Sequence, residues 1–84
     1  MFAKVKSQVF IDALKFEWEG PWQSNFKAIL KDEEGSVCSM LETSLQEQQN
    51  ELTWRGLDNL PYGVYTLELS RGTDAMQMRL VKRV

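Results

Sequence analysis

The chain has 84 residues, 43% of them apolar, with three Trp, four Phe and two Tyr. That is enough for one compact core, but a domain this short hides only roughly 60 to 65% of its unfolded surface, so a large internal pocket is not expected. Ten Lys and Arg against twelve Asp and Glu give a net charge of −2, which offers no basic footprint for nucleic acid or an anionic membrane, and the absence of His removes the commonest general base and metal ligand together.

No run of about 18 apolar residues is present, so no transmembrane segment is expected, and Met1 to Lys6 lacks the apolar middle of a signal peptide. A stand-alone chain of this kind is expected in the cytoplasm; a domain of a longer exported protein is expected in the cell envelope, secreted or at the cell surface. Val5, Val9 and Ile11 are odd-numbered apolar positions, whereas Leu14, Phe16 and Trp18 are even and alternate with Lys15, Glu17 and Glu19. A period-2 pattern changes parity only through a bulge or a new strand, so two strands are predicted, over about 3–11 and 13–19. Gly20-Pro21 ends the second.

Phe26, Ala28 and Leu30 alternate with Asn25, Lys27 and Lys31 in the next predicted strand, and Asp32-Glu33-Glu34-Gly35 reads as a hairpin loop with Gly35 in left-handed geometry. Val37, Ser39 and Leu41 return. From Met40 to Leu52 the leucines also sit near helical spacing among Glu and Gln, but the polar run from Gln46 to Asn50 favours a strand fraying at about Thr43 and then a loop. Leu52 and Trp54 resume a strand, and residues 56–63 form a long turn. In that turn Pro61 sets its own φ and Gly63 is predicted to supply the positive φ of a type II reversal. Tyr65, Leu67 and Leu69 then alternate with Val64, Thr66 and Glu68, which makes Tyr65 an inward anchor. Residues 71–74 form a second hairpin loop, before a last strand with Met76, Met78 and Leu80 inward and the charged pair Lys82-Arg83 at an end expected to contribute little to packing. The pattern predicts one all-β domain over 1–84, an antiparallel immunoglobulin-like β-sandwich of six or seven short strands.

Chemistry is sparse. Asp32, Glu33 and Glu34 read as a solvated turn rather than a Ca²⁺ loop, because no EF-hand spacing surrounds them. Glu17 and Glu19 share an exposed strand face. Five serines, Ser24, Ser36, Ser39, Ser44 and Ser70, lack any His to form a triad. Cys38 is the only cysteine, so there is no internal disulfide and no zinc set, and it reads as a small strand residue. Trp18 and Trp54 fall in phase with the core, whereas Trp22, in a loop after Pro21, is the candidate exposed aromatic for a sugar ring or a peptide. No catalytic residues, cofactor or metal are expected, and the chain is read as a non-enzyme.

Three phrases carry a family resemblance. Phe26 to Val37 resembles a strand, a D-x-x-G-x-V hairpin and a return strand; Leu60-Pro61-Tyr62-Gly63-Val64-Tyr65 resembles L-P-x-G-x-Y; and Met78 to Val84 resembles a terminal strand closing on a basic pair. In that order they are similar to the C-terminal sorting domain of proteins exported by the type IX secretion system of Bacteroidetes. The resemblance covers about residues 25–84 and implies an immunoglobulin-like domain recognised as an export signal at the outer membrane, with Gly35, Pro61, Gly63, Tyr65, Lys82 and Arg83 as recognition residues and the secretion machinery or a surface protein as partner. The L-P-x-G-x-Y phrase also resembles B-type repeats of bacterial adhesins and transthyretin-like domains of carboxypeptidases, which implies instead a structural or adhesive module of a larger surface protein.

Overall fold

The computed structural model describes residues 3–18, 25–44 and 50–83, and within them every regular element is a strand. The strands are β1 (Lys4–Val5), β2 (Val9–Phe10), β3 (Leu14–Glu17), β4 (Asn25–Lys31), β5 (Val37–Ser44), β6 (Glu51–Trp54), β7 (Gly63–Arg71) and β8 (Asp74–Lys82). They form a three-stranded sheet in the order β1-β3-β6 and a five-stranded sheet in the order β2-β8-β7-β4-β5, packed as a sandwich. The polar loop expected through 45–50 lies outside the described residues except for Asn50.

Alternation decides which face of each strand is buried. Phe26, Ala28 and Leu30 of β4 and Tyr65, Leu67 and Leu69 of β7 point inward, and Leu14 and Phe16 of β3 meet them from the smaller sheet. Phe26 is the contact between layers: its ring lies 5.7 Å from that of Phe16 and stacks on Trp18 at 6.0 Å. Trp18 and Trp54 are buried, as their phase predicts, and Met76 and Met78 pack half-buried against the same core.

The tight turns follow the loop chemistry. Arg71 pairs with Asp74 across a two-residue loop in which Gly72 has φ +57° at the first position, as a II′ hairpin requires, and the Arg71–Asp74 ion pair of 2.6 Å closes it.

The N-terminal segment differs from the expected single strand over 3–11. It divides into β1, antiparallel to β3, and β2, which crosses to the larger sheet and runs parallel to β8, so the sandwich is not wholly antiparallel. Ser7 marks the crossing, because its hydroxyl both accepts from the Val9 N–H at 3.2 Å and donates to the Val9 carbonyl at 2.9 Å, taking the place of a ladder partner. Changing sheets also changes which parity faces the core. Phe10 is therefore buried, while Val9 and Ile11, read as core-phase residues, are 44% and 54% exposed.

Gly63 has a positive φ, but at +146° and as the first residue of β7, not at the +80° of a type II turn. The reversal itself lies earlier, where the Leu60 N–H reaches the Leu57 carbonyl at 3.3 Å. A Cβ at position 63 would meet nothing within 4 Å, so the constraint there is the backbone alone. Gly63→Val should destabilise by about 1 to 3 kcal/mol through that strain. Gly63→Ala should lose part of it, and chemical denaturation of both variants checks the order.

Candidate functional site

The residues singled out by the family resemblance come from three separate phrases, and pairing gathers them at one end of the five-stranded sheet. Lys31 at the end of β4 lies opposite Thr66 near the start of β7, and Gly63 lies opposite Lys82 at the end of β8. The β4–β5 hairpin, the start of β7 and the end of β8 therefore share this end. Between the hairpin and residues 61–65 lies an open cleft of about 400 Å³, lined by Asp32, Glu33, Glu34 and Cys38 on one side and by Pro61 to Tyr65 on the other.

The hairpin is held by its own first residue. Asp32 Oδ1 accepts from the backbone N–H groups of Glu34 and Ser36, both at 2.9 Å, and Gly35, at φ +86°, donates its N–H to the Asp32 carbonyl at 3.0 Å. An Asp carboxylate engaged in this way stabilises the turn. Glu33 and Glu34 stay exposed, and Gly35 serves the loop's geometry.

On the other side, Leu57 is buried and ties the β6–β7 connection to the β2–β3 connection by donating its N–H to the Asp12 carbonyl at 3.0 Å. Tyr65 is buried, packs edge-on against Phe10 at 6.1 Å, and donates its hydroxyl to the Pro61 carbonyl at 2.6 Å. Burial, with smaller electrostatic contributions from Cys38 and Asp32, raises the Tyr65 pKa above its ordinary value.

Lys82 overturns the expectation that the terminal basic pair adds little to packing. It is 3% exposed, donates its ammonium to the Arg83 carbonyl at 3.0 Å, and holds Nζ 5.6 Å from the centre of the Tyr62 ring. Its position pairs with Gly63 on one side and Phe10 on the other, and the Arg83 N–H donates to the Phe10 carbonyl at 2.9 Å. The side chains of the pair thus divide: Lys82 is part of the folded end and Arg83 is exposed.

Tyr62 was not singled out by sequence, yet at 66% exposure it is the most exposed large apolar side chain among the described residues. Its signal was its place between Pro61 and Gly63, immediately before β7 begins. Trp22, the other aromatic candidate, lies outside the described residues. Among the described residues no group of three or more His, Cys, Asp or Glu converges to hold a metal ion, and no helix is long and apolar enough to cross a membrane. No protein-family model and no curated protein matches this chain.

Tyr65→Phe removes the hydroxyl and leaves the Pro61 carbonyl without that donor, and should cost about 0.5 to 1.5 kcal/mol. Because the folded state raises the Tyr65 pKa, its contribution is complete below the ordinary value of about 10 and is lost as pH rises from there through the folded value. Denaturant midpoints measured from pH 8 upward should fall more steeply for the wild type than for Tyr65→Phe.

Proposed function

We propose that this chain is an immunoglobulin-like, non-enzymatic protein-recognition module, and that in a longer exported protein it acts as a C-terminal sorting signal for passage across the outer membrane. The observation that carries the reading is the convergence of the three motif phrases at one sheet end, where Tyr62 and Arg83 are exposed and Tyr62 lines a cleft bordered by Glu33 and Glu34. Residues so far apart in sequence form one surface there, as recognition of a folded signal requires.

The immunoglobulin-like assignment is supported by two features. The N-terminal segment contributes to both sheets, and a tyrosine at the start of β7 bonds back to a carbonyl four residues upstream, the arrangement of the tyrosine corner in such sandwiches.

A second reading is a structural or adhesive module of a larger surface protein. It is favoured by the same hydrogen bond, because a Pro61 and Tyr65 pair that holds a corner explains the L-P-x-G-x-Y phrase without any partner. Binding of carbohydrate through Trp22 belongs to this reading.

The test is a reporter with a signal peptide fused ahead of the intact domain in a host that has the type IX machinery. The intact domain should deliver the reporter to the surface. Tyr62→Ala combined with Arg83→Ala should reduce delivery at least about tenfold while circular dichroism still reports the folded domain, since Lys82 keeps its bond to the Arg83 carbonyl when the Tyr62 ring is removed. No delivery by the intact domain, or full delivery by the double variant, favours the structural module.

A further inference from the structure

Among the described residues four strands form the edges of the two sheets, and three of them are short. β1 and β2 have two residues each and β6 has four, whereas β5 runs for eight, from Val37 to Ser44. Short edges are one of the ways proteins keep unpaired backbone from recruiting another strand; Lys, Pro and bulges are others. β5 contains no Lys, Arg or Pro, and its single charge, Glu42, projects beside Lys27 at 3.8 Å. One bulge interrupts it, at Cys38, where the register against β4 shifts between Leu30 and Lys31; from Ser39 to Ser44 the pairing is regular. Two of the large apolar residues exposed among the described residues, Val37 at 58% and Met40 at 54%, lie on this one edge strand.

The geometry points to β5 as the interface of a homodimer, in which β5 pairs antiparallel with β5 of a second copy about a two-fold axis through Met40. Antiparallel pairing of identical strands about an axis normal to the sheet keeps each face on its own side, so an outward residue must meet an outward residue. Met40 faces outward opposite Ile29, and Ile29 in turn lies opposite Glu68. Centring the axis on Met40 sets the two Met40 side chains against each other with an Ile29 on either flank, an apolar row on the outer face. The same register keeps the two Glu42 carboxylates four positions apart along the strand direction. Centring on Glu42 would set like charges directly opposite, which is unfavourable.

The occupant is a second copy because Ser39 to Leu41, clear of the bulge, pair with their own counterparts about this axis and because the pairing closes. Once β5 is paired, the far edge of the enlarged sheet at each end is the two-residue β2, which offers no template for a further copy. Strand pairing without stacking of faces buries well under the roughly 1,600 Å² of a standard stable interface, so the dimer dissociates on dilution.

Sedimentation equilibrium of the 84-residue chain under reducing conditions, over a wide concentration range, should show a reversible shift from 9.8 kDa toward twice that mass. Met40→Lys sets two ammonium groups across the axis and should raise the dimer dissociation constant about tenfold or more, with circular dichroism and the thermal midpoint of dilute, monomeric protein unchanged because the position is exposed. In a Cys38→Ser background, Met40→Cys should form a cross-linked dimer on mild oxidation far faster than Tyr62→Cys does. A monomer at every concentration overturns the proposal and leaves the edge to an extended segment of a different protein. A dimer that Met40→Lys does not weaken, or that Met40→Cys does not cross-link, overturns it by assigning association to another surface.

Discussion

The bond from the Tyr65 hydroxyl to the Pro61 carbonyl sits where the chain passes from one sheet to the other. β6 belongs to the three-stranded sheet and β7 to the five-stranded sheet, so the connection between them must cross the edge of the sandwich. A crossing made of loop alone would be held only by water-exposed backbone. Here the ring of Tyr65 is in the core against Phe10, while its hydroxyl reaches back to the turn that precedes the strand. One side chain thus fixes both the start of β7 and the approach to it. With β7 central between β4 and β8, the register of the whole larger sheet follows from where that strand begins.

The elements that could be read from sequence are those in which local chemistry and tertiary demand coincide. The alternation in β3, β4 and β7, the Asp32–Gly35 hairpin and the Arg71–Asp74 turn all have residues that serve the strand or loop in isolation as well as in the fold. The N-terminal segment could not be read in this way. Whether Val9 or Phe10 is buried depends on which sheet β2 joins, and that is decided by β8, at the opposite end of the chain. Parity along a strand reports a buried face only once the sheet is known, and no local pattern within 3–11 contains that information. The parallel pairing was hidden for the same reason, since it joins the first part of the sequence to the last.

The candidate site divides along the same line. Pro61, Gly63 and Tyr65 were legible because a proline, a glycine and an aromatic before an alternating strand are local instructions. Their meaning was less so. Tyr65 holds a corner, Gly63 opens a strand, and Gly35 shapes a loop, so three of the residues nominated for recognition are explained by the fold itself. The exposed part of that surface, Tyr62 and Arg83, is defined by what remains once structural duties are assigned.

Lys82 shows how closely that surface is joined to the fold. A lysine buried at the end of a strand must place its ammonium somewhere polar, and an unpaired buried charge is costly. Its stem is enclosed between the positions of Gly63 and Phe10, and its head reaches the Arg83 carbonyl and the face of Tyr62, where the ring's negative quadrupole attracts a cation. The aromatic outside and the strand end are thereby linked through one side chain. Tyr62 and Arg83 hold their relative positions only while β7 and β8 stay paired at Gly63 and Lys82, and that pairing starts from the Tyr65 corner. A partner that contacts both residues therefore reads the folded state of the domain, because the unfolded chain keeps them far apart.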